Sequence, residues 1–253
     1  MVTREQMESF YVKGWVVIEK VFHTDTINQI AEIATTIIEE ELKQAHVPLR
    51  DGQRLETGKI IPRKISHPFF KHPAFQDFVL DRRFNNIIEE FIGGNPLLLT
   101  DQIFMKPPHY GGPKPYHQDN FYFQCFPADH VITAWIALDD VDKDNGCLRY
   151  ISGSNKKGIV PHYQQSEDEP HNFIPPNNYI DMSNEELAPV GKGGVVFHNS
   201  QTLHSSHRNN SNRWRRAYAT HWVTENVTCK NEILKHALFK DERYKSLLTK
   251  RVV

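Results

Sequence analysis

His117, Gln118 and Asp119 lie side by side, in a stretch whose aromatic and apolar residues predict a strand over 115–123. Strand side chains alternate between faces, so His117 and Asp119 point the same way and Gln118 the opposite way. A neutral imidazole and a carboxylate on one face make part of a facial metal site. A third ligand from another strand would complete it and leave three coordination positions open, the arrangement suited to non-haem Fe(II) and oxygen activation. His204 is the best-placed third ligand, late in the chain among expected paired strands. His198, near an expected turn, and His207, on the opposite strand parity, compete for that role.

Arg215 narrows the chemistry. It opens a strand whose same-face residues are Arg215, Ala217, Ala219 and His221. A guanidinium beside two alanines has space in front of it and is shaped to hold a carboxylate in a bidentate fork. An iron oxygenase using 2-oxoglutarate has that need: one end of the cosubstrate chelates the metal, and the far carboxylate requires a cation. Ser206, two residues past His204 on the same face, can add a hydroxyl. The alternative is that Arg213, Arg215 and Arg216 form a solvated basic run. His221 reads as a hydrogen-bonded core histidine, and Arg149 as either an anchor for an anionic substrate group or a structural ion pair. His109, Tyr110, Tyr116, Phe121, Tyr122 and Phe123 cluster around the motif, and some of them must line the mouth of a pocket at His117.

The elements that must carry these residues follow from periodicity. Thr3 to Gln6 fits a capping box, with Gly14 ending the first helix. Ile27, Ile30, Ala34, Ile37, Ile38 and Leu42 recur at helical spacing. A further helical stretch runs over 75–91, and residues 46–72 are loop-like. From Asn95 onward, strands are expected over 97–106, 115–123, 130–138, 147–151, 187–190, 194–198, 201–206 and 214–223. Eight strands after helices imply an α+β, mainly β domain: an antiparallel sandwich or barrel with helices packed outside. Residues 155–185 form a long insertion, in which His162 and His171 could touch substrate. The chain reads as one domain: a mainly helical part over 1–94, a β core over 95–225 and a helical tail over 226–253.

Composition excludes other classes. With 30 basic and 31 acidic residues, there is no electrostatic drive towards nucleic acid or anionic membrane. No apolar run is long enough to span a bilayer, and the N-terminus carries no secretory pattern. Three widely spaced cysteines, Cys125, Cys147 and Cys229, argue against a disulfide scaffold or a cysteine zinc site and suit a reducing compartment, so a cytoplasmic location is expected. Fourteen histidines are the outlying feature; His23, His46, His67, His72, His130 and His236 have surface or capping contexts.

The ordered set His117-Gln118-Asp119, Trp135, Asn145-Gly146-Cys147-Leu148, Gly153-Ser154 and Phe197 through His204 to Trp214-Arg215-Arg216-Ala217 resembles the phytanoyl-CoA dioxygenase family over about residues 60–223. The resemblance implies an Fe(II)- and 2-oxoglutarate-dependent oxygenase with a double-stranded β-helix (jelly-roll, cupin-like) core. It implies iron ligation by His117, Asp119 and His204, and cosubstrate binding by Arg215 with Ser206. Lys64, Gln102 and Trp135 match positions lining the 2-oxoglutarate pocket. With O2, such an enzyme hydroxylates or otherwise oxidises a small molecule and releases succinate and carbon dioxide. Asn155 stands where relatives often carry histidine, and Asp119 argues against halogenation, for which relatives have a small residue there. The chain ends Lys250-Arg251-Val252-Val253, not a peroxisomal tripeptide. A small-metabolite hydroxylase is the leading reading. The alternatives are an acyl-CoA hydroxylase of the phytanoyl-CoA type, a barrel holding another divalent ion for hydrolysis or isomerisation, and a non-catalytic metal-binding module.

Overall fold

The computed structural model describes residues 2–43, 52–54, 60–165, 172–230 and 232–251. Its first helix, α1 (Arg4–Lys13), starts with the expected reciprocal cap between Thr3 and Gln6. It stops at Gly14, whose φ of 86° favours glycine and where a Cβ would lie 2.4 Å from Thr202 Oγ1. Helix α2 (Thr24–Lys43) buries Ile27, Ile30, Ala31, Ala34 and Ile38 on one face. The stretch expected as one helix over 75–91 is two, α3 (Pro73–Val79) and α4 (Arg82–Ile92). Asp81 divides them: its carboxylate accepts the N–H groups of Arg83 and Phe84, the N-cap bond that starts a new helix.

Strands are numbered along the chain. The larger sheet has the spatial order β1 (Trp15–Ile18), β13 (Val195–Asn199), β8 (Val131–Ala137), β15 (Arg215–Val223), β5 (Leu97–Lys106) and β4 (Lys64–Ser66). The smaller has the order β12 (Glu185–Ala188), β9 (Leu148–Ile151), β14 (His204–Ser206) and β6 (Lys114–His117). Neighbouring strands in both sheets are antiparallel. Trp15, Trp135, Val196, Ala217 and Ala219 of the larger sheet form one buried cluster with Leu148, Tyr150 and Ala188 of the smaller. The sheets therefore face each other across a shared interior, the jelly-roll arrangement. The outer face of the larger sheet, with Ile103, Ile132, Ile136, Phe197, Tyr218 and Trp222, packs against Ile27, Ile30, Phe78, Phe84 and Phe91 of the helices. Helices thus cover one face, as the sequence implied.

Three expectations are corrected. The strand over 115–123 ends at His117, and α5 (Asp119–Phe123) follows. The segment after 225 is not simply helical. It begins with β16 (Thr228–Cys229), paired with β7 (Cys125–Phe126), and continues through two short 3-10 turns before α6 (Glu242–Arg251). In that pair Cys229 stands opposite Cys125 and is disulfide-bonded to it across a separation of 104 residues. Chain spacing carries no information about such a long-range partner, so the cysteine argument for a reducing compartment falls away. Two further short hairpins are β2 (Gly52–Arg54) with β3 (Ile60–Pro62), and β10 (Tyr163–Gln164) with β11 (Phe173–Ile174). No helix among the described residues is long and apolar enough to cross a membrane.

Candidate metal centre

His117 is the last residue of β6 and stands in register opposite His204 of β14, with ring centres 4.2 Å apart. Gln118 remains extended (φ −114°, ψ 132°), so alternation still holds from His117 to Asp119 although Asp119 opens a helix. One ligand atom from each of His117, Asp119 and His204 lies within 4.8 Å of the others, the single such trio among the described residues. Asp119 Oδ1 is 3.8 Å from His117 Nε2 and 3.6 Å from His204 Nε2. Both rings turn Nδ1 towards a backbone carbonyl, His117 to Pro115 at 2.9 Å and His204 to Thr202 at 3.0 Å. A carbonyl only accepts, so each Nδ1 carries the proton and each Nε2 presents a lone pair to the shared space.

Electrostatics suits a cation there. Burial, with His204 and Lys114 nearby, holds His117 well below the usual histidine range and therefore neutral. Burial alone would raise Asp119, but His204 and the hydrogen bond from His198 outweigh it, keeping the carboxylate well below its ordinary range. Asp119 Oδ2 accepts the Thr133 hydroxyl at 2.7 Å and His198 Nε2–H at 3.0 Å. Because Thr133 donates to Asp119, it accepts from His221 Nδ1–H at 2.8 Å. Because His198 donates through Nε2, its Nδ1 accepts the Tyr150 hydroxyl at 2.8 Å. Two hydrogen-bonded arms therefore converge on Oδ2 and leave Oδ1 facing the histidines. His198, a rival third ligand by sequence, belongs to one arm, and burial foremost lowers its pKa to about 4. His207 is exposed. His221 is buried and hydrogen-bonded as expected, although its Nε2 has no partner.

Strand parity separates Arg215 from Arg216, and Arg213 lies before β15. Arg216 points outward, with Asp139 on its Nε and Nη2, and Arg213 pairs with Asp142 at the surface. Arg215 points inward and is 2% exposed, its guanidinium 5.4 Å from the Trp135 ring centre. No carboxylate among the described residues pairs with it, and its Nε lacks a hydrogen-bond partner. Burial lowers its pKa to about 10, so it stays charged at neutral pH. Ser206 is buried nearby in chain terms, two residues past His204, and its hydroxyl accepts from Lys106 Nζ at 2.8 Å. Gln102 stands opposite Ala219 on β15, and Lys64 Nζ donates to its Oε1 at 3.2 Å. The structure thus brings Arg215 to Trp135, and Lys64 to Gln102.

Besides Thr133, sequence reasoning missed Lys106 and the role of Gln118 here. Lys106, in register with Arg215, shares the inward parity of Gln102 and Phe104 on β5, a signal that was available. Gln118 is fully buried; its amide donates to Gly158 and Gln201 carbonyls and accepts Val160 N–H, tying the metal strand to the insertion. At the mouth, Tyr122 lies 5.9 Å from the His117 ring, and Phe121 stacks on His162 at 4.3 Å and meets Phe173 at 5.3 Å. His162 also accepts Gln118 N–H, so the insertion does reach the site. Arg149 does not. It pairs with Glu185, as does Tyr116, on the face of the smaller sheet opposite Tyr150 and His204. His46 and His171 lie outside the described residues.

The phytanoyl-CoA dioxygenase (PhyH) family profile matches residues 10–217. Mouse peroxisomal phytanoyl-CoA dioxygenase is 26% identical over 240 residues, 90% of this chain and 70% of that protein. A phytanoyl-CoA dioxygenase domain-containing protein 1 homolog of Caenorhabditis elegans is 28% identical over 203 residues, 78% of this chain and 70% of its own. Among solved structures, EvdO2 from Micromonospora carbonacea complexed with 2-oxoglutarate superposes with a TM-score of 0.71 at 21% identity, covering 88% of this chain and 91% of that one. The epimerase SnoN in complex with Fe3+, α-ketoglutarate and nogalamycin RO gives 0.70 at 16% identity, covering 90% and 85%. The profile match takes in every residue of the His117–Asp119–His204 centre and both sheets except β15 beyond Ala217, and the chain is an enzyme of the phytanoyl-CoA dioxygenase family.

Proposed function

We propose that the chain is an Fe(II)- and 2-oxoglutarate-dependent dioxygenase that hydroxylates a small-molecule metabolite and releases succinate and carbon dioxide. The observation that carries this reading is that a metal-ligand trio and a buried arginine share one interior. Two imidazole Nε2 atoms and one carboxylate oxygen converge in one trio, and the buried Arg215 pairs with no carboxylate among the described residues. Iron fits the donor set, and a dicarboxylic 2-oxo acid supplies a chelating end for the metal and an anionic end for the arginine.

In this assignment His117, Asp119 and His204 hold iron, which with 2-oxoglutarate and O2 supplies the oxidising chemistry. The Nδ1–H bonds to Pro115 and Thr202 fix both rings in the ligating tautomer. Thr133 and His198 hold Asp119 by Oδ2 and keep Oδ1 towards the metal. Arg215 takes the far carboxylate, Trp135 packs against the guanidinium, and Ser206, Gln102 and Lys64 line the same pocket. Tyr122, Phe121, Phe173 and His162 border the substrate side, where aromatic walls exclude water and suit an apolar C–H region.

The relatives' phytanoyl-CoA name favours an acyl-CoA thioester as the second substrate class. Succinate release with Fe(II), 2-oxoglutarate and a panel of small metabolites and acyl-CoA thioesters separates these classes. We expect substrate-stimulated succinate in the wild type and loss to background in His117→Ala. Equal turnover in both proteins would overturn the assignment.

A further inference from the structure

Lys106 is the second basic side chain of the interior that finds no acid among the described residues. It is 6% exposed and stands in register with Arg215 across the β5–β15 pair. Its ammonium donates to Ser206 Oγ at 2.8 Å and to the His207 carbonyl, using two of its three donors on neutral acceptors. Nearby Cys147 is a buried thiol whose pKa burial raises, so it supplies no negative charge at neutral pH. Arg216 and Arg213, on the same strand and the approach to it, each have an aspartate. Among the described residues, the outward arginines thus have carboxylate partners and the inward Arg215 and Lys106 do not.

A buried cation costs several kcal/mol unless it is paired, and two neighbouring cations repel each other as well. Tethering Ser206 and the His207 carbonyl does not need a charge, since an amide would donate equally well. The arrangement makes sense when an anion enters between them. We infer that Lys106 is a second cation for the far carboxylate of the 2-oxo acid, acting with Arg215 and Ser206 to select a dicarboxylic cosubstrate over a monocarboxylic one. This rests on the proposed 2-oxoglutarate site and assigns it a residue outside the set that the family resemblance supplied. One carboxylate oxygen faces the Arg215 fork and the other meets the Lys106–Ser206 pair. Burial and the neighbouring Arg215 hold Lys106 well below the usual lysine range, and a carboxylate beside it favours the charged form.

The test is binding rather than turnover. The full chain, loaded with Fe(II) under anaerobic conditions, is titrated calorimetrically with 2-oxoglutarate and with 2-oxopentanoate, in which a methyl group replaces the far carboxylate. The wild type should prefer 2-oxoglutarate. Lys106→Met and Lys106→Gln should each lose about 10- to 100-fold in 2-oxoglutarate affinity, the range of a charged hydrogen bond, while binding 2-oxopentanoate as before. Lys106→Arg should keep the preference. The glutamine variant retains donors for Ser206 and His207, and thermal melting confirms that each variant is folded. An unchanged preference in both neutral variants overturns the role of Lys106 and leaves the cosubstrate site standing. Equal losses for the two acids overturn it too, because they show a structural role. A wild type without any preference overturns the site itself.

Discussion

Asp119 divides its two carboxylate oxygens between hydrogen-bond donors and the two histidines. Oδ2 takes hydrogen bonds from Thr133 and His198, each backed by a further donor, His221 and Tyr150. Such supporting partners are worth about 10- to 100-fold in metal affinity. Thr133→Val, close in shape but without the hydroxyl, should weaken Fe(II) binding by about that factor while secondary structure stays intact. Competition against a chelating dye measures it, and wild-type affinity in the variant would show that Asp119 is oriented by other means. At this scale parity placed His117 and Asp119 on one face and turned Arg215 inward. It could not find His198 as a support or Thr133 at all, because their partner is reached across neighbouring strands rather than along the chain.

Helix α5 is the element on which the carboxylate rides. The run Tyr116 to Phe123 looks like a strand because it is aromatic, yet side-chain bonds override that propensity. Asn120 is fully buried; its amide donates to the Cys125 carbonyl and accepts Cys125 N–H, both at 2.9 Å, while its backbone N–H reaches Ser200. Gln124 then ends the helix at φ 52°. Asn120→Ala strands two buried backbone groups and should cost about 2–4 kcal/mol, counting about 1–2 for each, with a loss of Fe(II) affinity in parallel. Denaturant titration and metal competition on the same variant check both effects. If stability falls but affinity does not, α5 does not position Asp119. Strand β15, by contrast, was legible throughout: its small and charged inward residues alternate with Tyr218 and Trp222 against the helices.

The whole molecule joins its helical layer to the sheet through a buried acid. Asp101 on β5 accepts Tyr218 O–H at 2.7 Å and Phe69 N–H at 2.9 Å, with the His67 ring 3.8 Å away. Burial dominates these bonds and raises its pKa to about 7. The folded state therefore keeps a proton that the unfolded chain releases near pH 4. Its stabilising contribution is complete below about pH 4, falls through the interval and is gone above about pH 7. Asp101→Asn should abolish this dependence, so that the stability of the variant relative to wild type rises from pH 5 to pH 8 by on the order of 2 kcal/mol. Urea midpoints at the two values decide it; parallel curves would show that Asp101 does not titrate there.

The sequence by itself determined the strand periodicities, the helical layer and the inward faces of β6 and β15, because local parity and amphipathic spacing are properties of adjacent residues. From those came His117, Asp119, His204 and Arg215 as a coherent chemical set. The tertiary structure decided what depends on distant chain segments meeting. It divided one expected helix at Asp81, paired Cys125 with Cys229, turned Arg149 onto Glu185 and placed Lys106 beside Arg215. Burial, counter-ion and hydrogen-bond partner are relations across space. They separate an arginine that an acid pairs, as Asp139 does Arg216, from Arg215, which no acid pairs among the described residues, and the string of residues does not contain them.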